Sequence, residues 1–375
     1  MNAPQQMTPQ QMAQMNLMQR SNLINSGLHM VKMLQPVTGA LGAQLRIPLQ
    51  RMGVMTGIML EFTVPVDVTV AATQSPFGPY NLAQSVSYTD YAGILRTNTS
   101  GFQLHALNCF RGHRLMNNAA KNSGYLTATE TGIDTDILAL PTAVAAANIM
   151  FSLYIPCAID PSSDLRGAVL SQTQYGDHYI TIQLANALVD ADTFTAPYSA
   201  GTAALQAGQQ VSVTAYQHYI MPQNGVTDLP MIDLSTIYAI EGNYTDSQNI
   251  AAGQSKYINW PNNRSIMSAI HVFDNGNAGT LNGADVSKIV LLGNSNTNIR
   301  ELSPRYLRNQ MRYQLGTDLP SGVYYMGARS QPITTVLYGN VQSRFDITIA
   351  NAGAYFVNQY ESTYLGGTPL PGVTQ

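Results

Sequence analysis

From Ile58 to Val70 the chain sets Ile58, Leu60, Phe62, Val64, Val66, Val68 and Val70 on one parity and Met59, Glu61, Thr63, Pro65, Asp67 and Thr69 on the other. A period of two sustained this long builds one apolar strand face and is incompatible with the 3.6-residue period of a helix. Shorter runs repeat it at Ile149-Phe151-Leu153-Ile155, Ile180-Ile182-Leu184, Val211-Val213-Ala215 and Phe345-Ile347-Ile349. The fold class is therefore all-β, with long irregular loops between strands. Pro65 has no N–H to give a ladder, so it is expected at an edge or a bulge.

Three helices interrupt this pattern. Thr8-Pro9 supplies an N-cap hydroxyl and a proline for the first helical position, Met12, Met15, Met18 and Leu23 follow as a loose apolar stripe, and Gly27 is the expected stop. A second helix is expected near Ser100 to Arg111, leading into Arg114 and Lys121. A third opens at Ser303-Pro304, closes at Gly316, and carries Arg305, Arg308 and Arg312. That arginine face reads either as a solvated surface or as a docking face for an acidic neighbour.

The first 60 residues hold ten of the 17 methionines and no acidic residue, with Arg20, Lys32, Arg46 and Arg51 as their charges. Three readings stay open for this arm: a helix docked on the body or on a neighbour, a membrane-surface helix, and an untethered tail. ITIQLANA at Ile180 echoes ITIANA at Ile347, and VTAYQHY and YFVNQYE follow them. Two similar halves divided near Pro222 to Pro230 fit this echo, each a sandwich of jelly-roll type. Ala191 to Gly208 and Asn243 to Gly253, rich in Ala, Thr, Gly and Asn, read as exposed loops.

Only 10% of residues are charged, against about 25% in an ordinary soluble domain. A surface so poor in charge is one that other surfaces cover. A net charge of −3 and a pI near 6.0 give no basis for direct nucleic-acid contact. Cys109 and Cys157 lack metal or disulfide spacing, and the start has no signal-peptide pattern, which fits synthesis in a reducing cytoplasm. The uncharged window Ile137 to Ile159 is interrupted by Pro141, Asn148 and Pro156 and does not read as a span.

No catalytic, cofactor or metal constellation emerges. His105 and His113 lie near Cys109 without a nucleophile signature, and His105 reads as a packed helix residue. His178, His218 and His271 fall singly in strands, as hydrogen-bonded sheet histidines do. In Phe273 to Asp285 the oxygen ligands miss the alternate positions of a calcium loop, and the glycines at Gly293 and Gly366 lack phosphate-loop context.

FGPYNLAQSVSYTD (Phe77 to Asp90), TSGFQLHALN (Thr99 to Asn108), LPMIDLSTIYAIE (Leu229 to Glu241), SAIHVFDNG (Ser268 to Gly276) and LPSGVYYMGARSQPITTVLYGNV (Leu319 to Val341) resemble, in order, the major capsid protein family of bacteriophage PRD1 and related tectiviruses. The resemblance implies a double jelly roll, two eight-stranded barrels in tandem with an N-terminal helical arm and short loop helices. It divides the chain into an arm (1–45), a first jelly roll (46–225), a second (226–365) and a tail (366–375). Three copies would form a pseudo-hexagonal capsomer, and capsomers would tile an icosahedral shell around an internal membrane and double-stranded DNA. The implied partners are copies of the chain, penton and minor membrane proteins, and the inner membrane. Met12, Met15, Met18, Arg20 and Lys32 are the expected membrane or inter-capsomer contacts, and Arg305, Arg308 and Arg312 the expected docking helix. No cofactor is expected. The competing class is a receptor-binding spike or lectin-like sandwich, which needs exposed aromatics with carboxylates and no Met-rich basic arm.

Overall fold

The computed structural model describes residues 8–75, 77–111, 140–171, 176–192, 194–221, 234, 236–250, 253–274, 286–294, 297–315, 322–328, 331–348 and 351–364. The alternating run at Ile58 becomes the spine of the first half, strand β4 (Val54–Gln74). On one flank it pairs with β7 (Ala145–Pro156), in continuous register from Gly57↔Pro156 to Val68↔Ala145. On the other it pairs first with β11 (Val211–Met221) and then with β10 (Tyr198–Leu205). Strands β1 (Leu28–Met33) and β2 (Val37–Gly39) add to β11, and β8 (Val169–Leu170) adds to β4.

Because side chains alternate, Ile58, Leu60, Phe62, Val64, Val66 and Val68 are all fully buried. Phe62 stacks on Phe151 at 4.5 Å. The face that receives them is β3 (Gln44–Pro48), β9 (Tyr179–Leu184), β5 (Ala83–Thr89) and β6 (Leu95–Thr99), hydrogen-bonded in the order β3-β9-β5-β6. These strands contribute Leu45, Ile47, Ile180, Ile182, Val86 and Tyr88 to the same core.

The second half repeats the plan. Its strands are β12 (Tyr238–Ile250), β13 (Ser255–Asn259), β14 (Arg264–Asp274), β15 (Val286–Gly293), β16 (Thr297–Leu302), β17 (Val323–Gly327), β18 (Ile333–Thr334), β19 (Gln342–Ile347) and β20 (Asn351–Tyr364). The order β1-β11-β4-β7 of the first barrel returns as β12-β20-β14-β17, and β3-β9-β5-β6 returns as β13-β19-β15-β16. Each barrel also places a helix directly after the last strand of its second order. These are α2 (Gly101–Arg111) after β6 and α3 (Pro304–Leu315) after β16. Strands β9 and β19 are equivalent in this order, but the ITIQLANA and ITIANA echo does not mark them, since Ile180 to Leu184 lie within β9 whereas only Ile347 of ITIANA lies in β19. The fourth helix of the described residues is the short α4 (Thr335–Tyr338), and α1 (Pro9–Ser26) precedes the first barrel.

The barrels are joined through backbone. Strand β6 pairs in parallel with β12, Thr97↔Ile240 and Asn98↔Glu241, so strands of both halves form one nine-stranded sheet.

Three expectations need correction. Pro65 lies in a central strand, not at an edge or bulge. Its carbonyl accepts from Gln206 N at 3.0 Å, so its nitrogen faces the same side, where β11 gives way to β10 and no ladder donor is required. The stretches read as loops, Ala191 to Gly208 and Asn243 to Gly253, contain β10 and most of β12; backbone pairing, not apolar alternation, holds them. The arm is helical only over α1, since β1, β2 and the first residues of β3 occupy 28–45. The division at 225/226 and the tail 366–375 lie outside the described residues.

Candidate assembly surfaces

Helix α1 starts as its sequence dictates. The Thr8 hydroxyl accepts from Gln11 N at 3.3 Å while Gln11 Oε1 accepts from Thr8 N at 2.9 Å, a reciprocal capping box ahead of Pro9. It ends at Gly27, where a Cβ would collide with Ile220 Cγ2 and the Leu23 carbonyl. Of the apolar stripe only Leu23 docks, in a small cluster with Val54, Ala158, Leu165, Ala168 and Ile220. Met12, Met15 and Met18 are exposed, Met18 at 64%, and so is Leu17. The helix is therefore tethered at its C-terminal end and presents its methionines outward. Arg20 lies half-buried on the helix, and Lys32 is exposed on β1.

Strand β1 continues that exposed surface. All six of its residues are exposed, including Leu28, Met30, Val31 and Met33, because it covers no core and pairs only with β11 among the described residues. Sequence reasoning assigned this segment to the arm, as an edge strand with apolar residues on both faces gives no period-two signal.

Helix α3 begins with Ser303 Oγ accepting from Tyr306 N at 3.1 Å. It buries Leu307 and exposes Arg305 and Tyr306. Arg308 and Arg312 belong to the helix, and their side chains lie outside the described residues.

The seam between the barrels carries an ion pair that sequence reasoning missed. Arg111, in the last turn of α2, places Nε 3.3 Å from Glu361 Oε1 of β20, and both side chains are fully buried. Glu361 also accepts from Tyr238 Oη at 3.0 Å and Ser268 Oγ at 2.8 Å, while Arg111 Nη2 donates to the carbonyls of Ala158 and Ile159. Beside it Phe110 stacks on Tyr325 at 3.8 Å. An arginine at a helix C-terminus with no acidic neighbour in sequence was the available signal.

The titratable groups singled out in the sequence are packing elements. His105 stacks on Tyr80 at 3.6 Å and sits 3.5 Å from Cys109 Sγ; His113 lies outside the described residues, as does the loop 275–285. His271 is held between Asn358 Oδ1 at 2.6 Å and Ser343 Oγ at 3.2 Å, and burial lowers its pKa to about 4. Burial also lowers His178 and His218 and pushes the Cys157 thiol up to about 12, so that cysteine is no nucleophile. Among the described residues no group of His, Cys, Asp and Glu is arranged to hold a metal ion, and no helix is long and apolar enough to cross a membrane.

Family models for the P3 major capsid protein match both halves, the N-terminal model over residues 3–222 and the C-terminal model over 235–368. The chain belongs to the P3 major capsid protein family. It is 30% identical over 331 residues to the major capsid protein P3 of Enterobacteria phage PRD1, covering 82% of this chain and 80% of that one. In fold it is similar to the major capsid protein of Sulfolobus Turreted Icosahedral Virus, with a TM-score of 0.64 at 13% identity over 91% of this chain and 98% of that one. PBCV-1 VP54 gives 0.60 at 13% identity over 93% and 98%, and the major capsid protein of bacteriophage PM2 gives 0.52 at 10% over 91% and 100%. The expected double jelly roll is the fold observed.

The P3 match decides between the two function classes left open by the sequence. This chain is a major capsid protein of PRD1 type, located in the virion capsid and associating with copies of itself, and not a spike, a lectin or an enzyme. The features to be explained are accordingly its covered and uncovered surfaces.

Proposed function

We propose that three copies of the chain close into a pseudo-hexagonal capsomer and that capsomers tile an icosahedral shell around an internal membrane enclosing double-stranded DNA. The observation that carries this reading is the repetition of one strand order in two barrels joined side by side, which gives three chains six similar corners. In this reading Met12, Met15, Met18, Arg20 and Lys32 contact the inner membrane or a neighbouring capsomer. Outward methionines suit either adaptable partner, and a segment with basic and no acidic residues suits anionic lipid. The α3 face with Arg305, Arg308 and Arg312 docks an acidic neighbour. Penton and minor membrane proteins are the remaining partners, with no direct contact to nucleic acid, and synthesis takes place in the host bacterial cytoplasm.

Light scattering of the purified chain tests the capsomer, with a mass near three times 40.6 kDa expected. Deleting residues 1–26, which spares β1, should leave that mass unchanged and impair formation of membrane-containing particles. A monomeric wild type would refute the capsomer, and normal particles from the truncated chain would refute the arm contact.

A further inference from the structure

The two barrels repeat one strand order, but their equivalent edges are treated differently. In the second barrel the edge strand β12 is covered by β6 of the first. In the first barrel the equivalent edge strand β1 has no partner on its outer side among the described residues, and neither has β16, the second-barrel equivalent of β6. Leu34 N donates to Ala215 O at 2.9 Å, so even-numbered residues of β1 point their backbone groups at β11. His29, Val31 and Met33 therefore turn N–H and C=O outward. A hydrocarbon environment cannot satisfy those groups. Nor does β1 carry much of the usual guarding of an open edge: the outer strands β3 and β13 hold Arg46 with Pro48 and Lys256, whereas β1 offers four exposed apolar residues and Lys32.

We infer that β16 of a second copy pairs in parallel with β1, reproducing between chains the β6·β12 junction within a chain. The inference rests on the capsomer reading and names the contact that closes it, a head-to-tail interface of the kind that generates rings. The register follows from the repeat. The helix starts after Ser100 and Ser303 equate Thr97 and Asn98 with Arg300 and Glu301. The register shift opposite Thr56 in β4 recurs opposite Met267 in β14, which equates Tyr219, paired to Met30, with Ser362, paired to Ala239, so that Val31 corresponds to Ile240 and Lys32 to Glu241. Val31 thus lies beside Arg300, and Lys32 beside Glu301, of the neighbouring copy.

Adjacent strands bring Cα atoms within disulfide range. Under mild oxidation the double variant V31C/R300C should give a covalent species of three chains, and each single variant should not; the native Cys109 and Cys157 are buried and do not compete. In the unmodified trimer the amides of His29, Val31 and Met33 should exchange slowly. V31C alone cross-linking in pairs would place a second β1 there and overturn the inference. So would a trimer intact by light scattering that shows neither cross-link nor protection. A chain that scatters as a monomer would overturn the capsomer reading itself.

Discussion

Replacing Glu361 with Gln tests whether the buried Arg111–Glu361 pair locks the barrels together. The carboxylate is fully buried, 3.3 Å from Arg111 Nε, and holds the hydroxyls of Tyr238 and Ser268. Neutralising it leaves the guanidinium desolvated with two carbonyls and no counter-charge, a loss of about 3–5 kcal/mol for a broken buried pair. For 375 residues, an unfolding entropy of about 2.1 cal/mol/K per residue converts that loss to a fall of about 4–6 °C in the melting midpoint. Adding Arg111→Met removes the stranded charge, while the Gln amide accepts from one of Tyr238 and Ser268 through its oxygen and donates to the hydroxyl of the other through its NH2. The double variant should then recover about half of the fall, since coupled sites are non-additive. Calorimetry of the full-length chain at one fixed protein concentration reads both variants, with concentration held because association itself stabilises. A single variant melting within about 1 °C of wild type, or a double variant whose loss equals the sum of the two single losses, would refute the latch; the ~1 °C bound corresponds to less than ~1 kcal/mol.

Acid should weaken the second barrel through His271. His271 is buried with a pKa of about 4 against an ordinary 6.5, so the unfolded chain binds the proton more readily; stability is full above pH 6.5 and is lost as pH falls toward 4, by at most about 3 kcal/mol. A urea titration of His271→Gln should show a shallower loss over that window, and an unchanged slope would count against the assignment. Cys109 and Cys157 should stay unlabelled by a thiol reagent until the chain unfolds, Cys157 because burial holds its thiol protonated; rapid labelling of the native protein would contradict the packing. Val31→Pro should leave the barrel folded, because its N–H points away from β11, whereas Lys32→Pro removes a donor from the β1–β11 ladder and should raise exchange along β11. Equal effects of the two prolines would show that the outward parity is misassigned.

What the sequence made legible follows from which forces are local. Strands β4, β7, β9, β11 and β19 each bury one face, so alternation announces them. Helices α1 and α3 carry hydroxyl-proline starts whose capping bonds are present in the structure. Strand β1 buries neither face and β10 almost none, so nothing in their residue pattern distinguishes them from arm or loop; their partners β11 and β4 supply the missing information. Arg111 and Glu361 are too far apart in sequence for spacing to connect them. His105, by contrast, was readable as packed because TSGFQLHALN sets it on a helix with Phe102 and Leu104, and Tyr80 covers its ring.

The sparse charge now has a structural account. Among the described residues the buried charges are paired, Arg96 to Asp90 at 2.6 Å and Arg111 to Glu361 across the seam, and the part-buried Arg264 meets Glu241 at 2.7 Å. A desolvated charge costs several kcal/mol unless such a partner meets it. The seam offers those partners because β6, α2, β12 and β20 converge on it, and its apolar layer, with Tyr238, Ile240, Met267, Ile270, Val323 and Tyr325, is continuous with the core of the first barrel. A contact that repeats the seam between chains faces the same desolvation cost. The strands available for it, β1 and β16, bring Lys32 on one side and Arg300 with Glu301 on the other, and Glu301 already pairs with Lys288 at 2.6 Å. Pairing of these few charges is therefore a condition for closing the proposed ring through backbone, and adding acidic residues to β1 beside Glu301 should weaken assembly before it weakens the fold.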